Sequence, residues 1–151
     1  MADFNLTWSI EGETQLSRAL LGMGNKLRDF RQPFGESVSM LKAVFSQDVF
    51  STHGAAIGEK WKRLSPYTVS QKARKGYPSD PLIATGQMQR SFQSIVSTDQ
   101  AVIFNTSDYF KYHQSNLPRE RIPRRVMMKL AERQREEVVK IFHQFIRQAL
   151  S

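Results

Sequence analysis

The sequence contains no cysteine. That excludes disulfide bridges and every metal site built on thiolates. Long apolar runs are missing too: the longest are a few residues, far below the roughly 20 that a membrane-crossing helix needs. The opening residues MADFNLTWSIEGE are acidic and alternating, with no basic region followed by an apolar block, so no signal peptide is expected. Histidine is scarce. His53, His113 and His143 stand apart from acidic pairs, and none belongs to an HExxH motif. Neither GxSxG nor the P-loop pattern occurs. Gly22-Met23-Gly24 follows no strand of the required unit, so it is not read as a phosphate loop. These absences lead to the expectation of a non-enzymatic protein with no cofactor, no metal, no small-molecule substrate and no membrane span.

What is present is the composition of an ordinary globular chain. Its 151 residues suit one domain with one core, and 40% hydrophobic with 24% charged residues is usual for a soluble protein. The balance of 22 basic against 14 acidic residues leaves a formal net charge of +8. Such an excess favours a polyanionic partner, or a wall that faces one. The plainer reading is surface charge with no specific use.

Periodicity predicts an α+β fold: a single domain with an antiparallel sheet packed with helices, and a long C-terminal helix. Phe4, Leu6, Trp8 and Ile10 alternate with polar residues, as a half-buried strand does, and Gly12 ends it. Leu16, Leu20, Met23, Leu27 and Phe30 recur at helical spacing until Pro33 breaks the pattern. A second helix is expected after Pro33, with Phe34, Val38, Leu41, Phe45 and Val49 on one face and a stop at Gly54. Residues 54–64 read as loop. Ser65-Pro66 is a start signal, and the next helix should run from Pro66 to about Lys75 and stop at Gly76. Two strands, Gln89–Val96 and Ala101–Thr106, are expected to form a hairpin through Thr98-Asp99-Gln100. Ser107 is placed as the cap of a short turn reaching Tyr112. Asn116 to Pro123 reads as loop. The closing helix should begin between Lys129 and Glu132, with Leu130, Val138, Ile141, Phe142, Phe145 and Ala149 on its apolar side. Glu136 and Glu137, set among Arg133, Arg135 and Lys140, read as a solvated helix face.

Charge is distributed less evenly than composition suggests. Lys60, Lys62, Arg63, Lys72, Arg74 and Lys75 follow one another without an intervening acid, among Trp61, Tyr67 and Tyr77. A second group comprises Lys111, Arg119, Arg121, Arg124 and Arg125. Cations beside aromatics suit nucleic acid, because charge tracks phosphates and rings stack on bases. No helix-turn-helix pair, zinc finger or RNP-type strand accompanies them, so sequence-specific reading is not expected.

Four elements in order carry a resemblance. They are Gly58-x-x-Trp61-x-x-Leu64-Ser65 with Thr68 and Lys72; Leu82-x-x-Thr85-Gly86-x-Met88-x-x-Ser91; Tyr109-x-x-Tyr112-His113-Gln114; and Ile122-Pro123-Arg124-Arg125. Together, over about Phe50 to Met128, they resemble the phage virion morphogenesis family, the tail-completion and neck proteins of tailed bacteriophages. Two positions depart from the family. Ser115-Asn116 stand where it usually has glycine, and Val126-Met127-Met128 where it usually has an aromatic.

The resemblance implies a structural virion protein of the head–tail neck, tail-terminator-like, assembled in the host cytoplasm. It implies a homo-oligomeric ring, commonly a hexamer, which other neck and tail proteins join and packaged DNA crosses without sequence-specific contacts. Trp61, Lys62, Arg63, Lys72, Arg74, Lys75, Arg119, Arg121, Arg124 and Arg125 then become candidates for subunit contacts or the channel wall. Each has a plainer reading. Trp61 is also a packing residue, Thr85-Gly86 a turn, His113-Gln114 a pair that orders its loop, and Arg124 or Arg125 a surface salt link. The alternative from another class is a small basic accessory protein that binds DNA without sequence preference.

Overall fold

The computed structural model describes residues 4–9, 27–116 and 121–150. The helix expected over Leu16 to Phe30 lies outside the described residues as far as Met23, as do Gly12, Gly22, Gly24, Pro118 and Arg119. Its end is corrected: residues 28–30 are not helical, and Phe30, buried like Leu27, is the N-cap of the next helix, where the Asp29 carboxylate accepts from the Arg31 amide. The alternation near the N-terminus does form a strand, β1 (Asn5–Ser9). It pairs antiparallel with β3 (Gln100–Asn105), which also pairs antiparallel with β2 (Phe92–Val96), giving the order β1-β3-β2. Register sorts the side chains. Leu6, Ile103 and Ser94 share the inner face, while Thr7, Val102 and Ile95 share the outer one. The fold is α+β, with a three-stranded antiparallel sheet, helices against it and a long C-terminal helix.

The inner face packs on α1 (Arg31–Ala43), which runs on through a π-helical turn, Val44–Asp48, into α2 (Val49–Ser51). The helix starts before Pro33, not after it. Proline is tolerated in a first turn because that N–H has no intrahelical partner to lose. Phe34, Val38, Leu41, Phe45 and Val49 are buried as the spacing predicts, and Phe50 joins them. The wide π turn shifts the helical phase, so the adjacent Val49 and Phe50 both face inward. Gly54 ends the run in the left-handed region, with φ 84°, and a single 3-10 turn, Ala55–Ile57, follows.

Next come α3 (Pro66–Arg74), α4 (Gln87–Arg90), the β2–β3 hairpin, α5 (Phe110–Gln114) and α6 (Glu132–Leu150). The expected strand at Gln89 begins later. Gly86, at φ 75°, starts a helical turn instead, and the Arg90 guanidinium ties it down by donating to the Thr85 carbonyl at 3.0 Å. The expected cap at Ser107 is corrected as well. Tyr109 occupies the N-cap of α5, and the Ser107 hydroxyl is buried without a hydrogen bond among the described residues.

On α6, Val138 is buried, and Phe142, Phe145 and Ile146 pack on the core from its border. Ile141 sits outside that packed set. Phe142 meets Phe34 edge-on at 4.9 Å and stacks on Phe30 at 6.2 Å. No helix among the described residues is long and apolar enough to cross a membrane.

Candidate functional site: a braced basic surface

The first basic group begins at the exit from α2. Gly54 lets the chain fold back on itself there. A Cβ at this position would lie 2.0 Å from the Glu59 carbonyl oxygen and 2.7 Å from the Trp61 ring. The Trp61 amide donates to the His53 carbonyl at 2.7 Å. Its ring stands edge-on to Phe50 at 5.5 Å and lies parallel to His53 at 6.3 Å. Its Nε1–H donates to the Val126 carbonyl at 2.7 Å. Trp61 is 5% exposed, so it is an internal brace and not an anchor offered to a partner.

The second basic group closes the joint from the other side. Arg125 is also 5% exposed. Its Nε and Nη2 donate to the Lys62 carbonyl at 3.1 and 2.9 Å. Burial lowers its pKa from the ordinary arginine value, because no carboxylate among the described residues pairs with it. The backbone around it is pinned by the His113-Gln114 pair. Arg125 N–H donates to the His113 carbonyl at 3.0 Å. The Gln114 Oε1 accepts from the amides of Met127 and Met128 at 2.9 and 3.2 Å, and its Nε2 donates to the Met128 carbonyl at 2.7 Å. One side chain thus stands in for a neighbouring strand.

Helix α3 rides on this joint without entering the core, and none of its side chains is buried. A nine-residue helix is too short to persist on propensity alone. Polar contacts hold it instead. The Ser65 hydroxyl accepts from the Thr68 amide at 3.2 Å, and Pro66 takes the first helical position. Lys72 reaches across to the loop after the helix, where its ammonium donates to the carbonyls of Asp80 and Ile83. Desolvation lowers the pKa of Lys72, the nearby Asp80 charge opposes that shift, and the nearby Arg125 charge adds to it. Asp80 in turn accepts from the His53 ring at 3.1 Å.

The structure therefore divides the ten candidates. Trp61 and Arg125 are buried as braces, which corrects the expectation that they face a partner or a channel, and Lys72 is a half-buried brace. Lys62, Arg63, Arg74, Lys75, Arg121 and Arg124 are exposed. Arg124 keeps one backbone contact, with Nε donating to the Gln114 carbonyl at 3.3 Å. Arg119 lies outside the described residues. The Arg125–Lys62 bonds join the segments that carry Lys62 and Arg63 and, 63 residues on, Arg124 and Arg125, whereas Lys111 lies apart, on the outer sheet face.

No family model, curated protein or solved structure matches this chain. Among the described residues, no group of His, Asp and Glu is placed to hold a metal ion. A shallow groove on the outer sheet face is lined by Phe4, Ile95, Val102 and Phe104, with Asp108 and Lys111 its only charged residues among the described ones. Asn5, Asn105, Thr106 and Ser107 also line it, and the Asn105 side chain is taken up by the Met88 carbonyl and the Ser107 amide. Sequence reasoning missed the His53–Asp80 pair and the destination of Arg125. Only the His-Gln pair carried a visible signal, as a polar dipeptide ahead of a proline-rich loop.

Proposed function

We propose that this chain is a structural protein of the neck of a tailed bacteriophage. It acts in tail completion, as one subunit of a ring, commonly six-fold, through which DNA passes, and it resides in the virion. One observation carries this reading: the four motif elements that carry the resemblance are wired to one another. Trp61 and Lys62 of the first bond to Val126 and Arg125 at the fourth. Lys72 bonds to Ile83, inside the second. His113 and Gln114 of the third hold Arg125, Met127 and Met128. Motifs assembled by chance along a chain have no reason to meet, whereas motifs that maintain one docking surface must. The surface they maintain is rigid and basic, without base-reading elements, as suits a ring that must not grip particular sequences.

The test is genetic and structural. A nonsense mutation in the encoding phage should yield DNA-filled heads and tails that fail to join, with joining restored by the wild-type chain. Cryo-electron microscopy of complete virions should place the chain in a ring between head and tail. Joined, infectious particles lacking the chain refute the reading. A chain found only free in infected cells, bound to DNA, favours the accessory-protein alternative.

A further inference from the structure

The braced surface has an unusual charge economy. From Lys60 to Ser79 there is no acid. The flanking acids are Glu59, paired with Lys129 at 2.7 Å, and Asp80, which accepts from the His53 ring at 3.1 Å and whose charge lies near Lys72. Beneath the exposed cations sit Lys72 and Arg125, whose donors end on backbone carbonyls and not on carboxylates. Carbonyls satisfy the hydrogen bonds without cancelling the charge, so Arg125 adds to the outward field, while Asp80 offsets part of the Lys72 charge.

The exposed cations stand at both ends of α3. Lys62 and Arg63 precede it, and Arg74 and Lys75 close it, with about 13 Å of helix between. Arg121 and Arg124 are exposed on the chain leading into Arg125. Tyr67, on α3 itself, is 73% exposed.

We propose that this surface, centred on Lys62, Arg63, Arg74 and Lys75, binds the phosphodiester backbone of nucleic acid without reading its sequence. Two features favour a nucleic acid over an acidic protein. A protein partner is oriented by mixed charge, which fixes register and rejects wrong partners. The exposed cations flanking α3 belong to a run with no acid from Lys60 to Ser79 and encode no register, which suits a repeating anion. DNA supplies a continuous row of charge, about one per 1.7 Å of duplex axis. The arginines add planar forks that match phosphate oxygens. The rigidity of the braces lowers the ordering cost of binding. The inference rests on the surface, so it survives or fails separately from the neck assignment.

The experiment titrates the full chain into a labelled duplex and a labelled single strand of arbitrary sequence, by fluorescence anisotropy across a salt series. Two four-site variants with equal charge loss are compared: Lys62→Gln, Arg63→Gln, Arg74→Gln and Lys75→Gln against Arg133→Gln, Arg135→Gln, Lys140→Gln and Arg147→Gln on α6. The expected result is that the first variant lowers the salt slope by about 3 to 4, so the affinity lost between roughly 50 and 200 mM salt shrinks by about a hundredfold. The second should leave the slope near that of the wild type. If single strands bind more tightly and Tyr67→Ala removes the preference, ring stacking identifies the ligand as single-stranded; equal or tighter duplex binding identifies the duplex. Absence of wild-type binding at the lowest salt overturns the proposal. So does equal weakening by both variants, which would show bulk charge alone. Labelled polyglutamate binding as tightly as the duplex, with the same dependence on the four residues, overturns it in favour of an acidic polypeptide. Whether the chain is present in virions is read independently, so loss of DNA binding and loss of the neck role remain distinguishable.

Discussion

Helices α1 and α3 are held in place by opposite means. Helix α1 buries Phe34, Val38 and Leu41 against the sheet and α6. Its position follows from apolar area removed from water, a term without direction that tolerates small shifts. Helix α3 has no fully buried side chain, and its position follows from a hydroxyl cap and an ammonium set on two carbonyls. Hydrogen bonds are directional, and the net stability each gives is small. The core helix is therefore strongly held and the outer one accurately held. A surface meant to present charge in a fixed pattern needs the second property more than the first.

The largest effect should come from breaking the first kind of anchoring. Phe34 is fully buried, and Phe34→Ala should cost about 3–5 kcal/mol in urea denaturation. Phe142 lies at the core border, only partly buried, so Phe142→Ala should cost clearly less. A loss for Phe34→Ala under about 1 kcal/mol would show that the core collapses around the deletion, contrary to a tightly packed site.

The joint between the two regions should respond next. Trp61→Phe keeps an aromatic ring but removes the donor to the Val126 carbonyl. The orphaned buried carbonyl should cost about 1–3 kcal/mol. Faster hydrogen exchange at Met127 and Met128 should accompany it, since that segment loses one of its fastenings. Unchanged exchange there would mean that Gln114 alone holds it.

Breaking the second kind of anchoring should hardly move the unfolding midpoint. Ser65→Ala removes a cap worth about 1 kcal/mol of local helix stability. Lys72→Met keeps the apolar stem but drops both carbonyl contacts. Both should appear as increased exchange and proteolysis over residues 66–86, while the core transition stays in place. A substantial fall in global stability from either would show that α3 is thermodynamically part of the core.

The smallest effect concerns Asp29, ahead of α1. The guanidinium of Arg31 donates to both carboxylate oxygens and the Arg31 amide to one of them, and these bonds lower its pKa to about 2. The folded carboxyl stays ionised where an unfolded one already takes a proton. Its support is complete above the ordinary carboxylate range and is lost as pH falls through about 2. Both side chains are open to solvent, so little stability should follow from the pair. NMR titration should find Asp29 low in the wild type and back toward the ordinary carboxylate value in Arg31→Ala. An unchanged value would assign the shift to another source.

Much of the fold was settled by neighbours in the chain. The alternation around Trp8, the Ser65-Pro66 start, the stops at Gly54 and Gly76 and the apolar stripe from Phe34 to Val49 all express interactions within a few residues, and each was legible. Where the local signal is ambiguous it misleads: Pro33 has the look of a boundary but sits in a first turn, and Gln89 the look of a strand but lies in the helical turn that Gly86 starts. The destinations of Trp61 and Arg125 were of another kind. Their acceptors lie 65 and 63 residues away in the chain, and a cation or an indole looks the same in sequence whether it meets water or a buried carbonyl. The sequence alone determined that this protein is basic, α+β and rich in cations over two short segments. Only the tertiary structure decided which of those cations brace the surface from within and which remain on it, because burial and hydrogen bonding depend on what the fold places opposite each side chain.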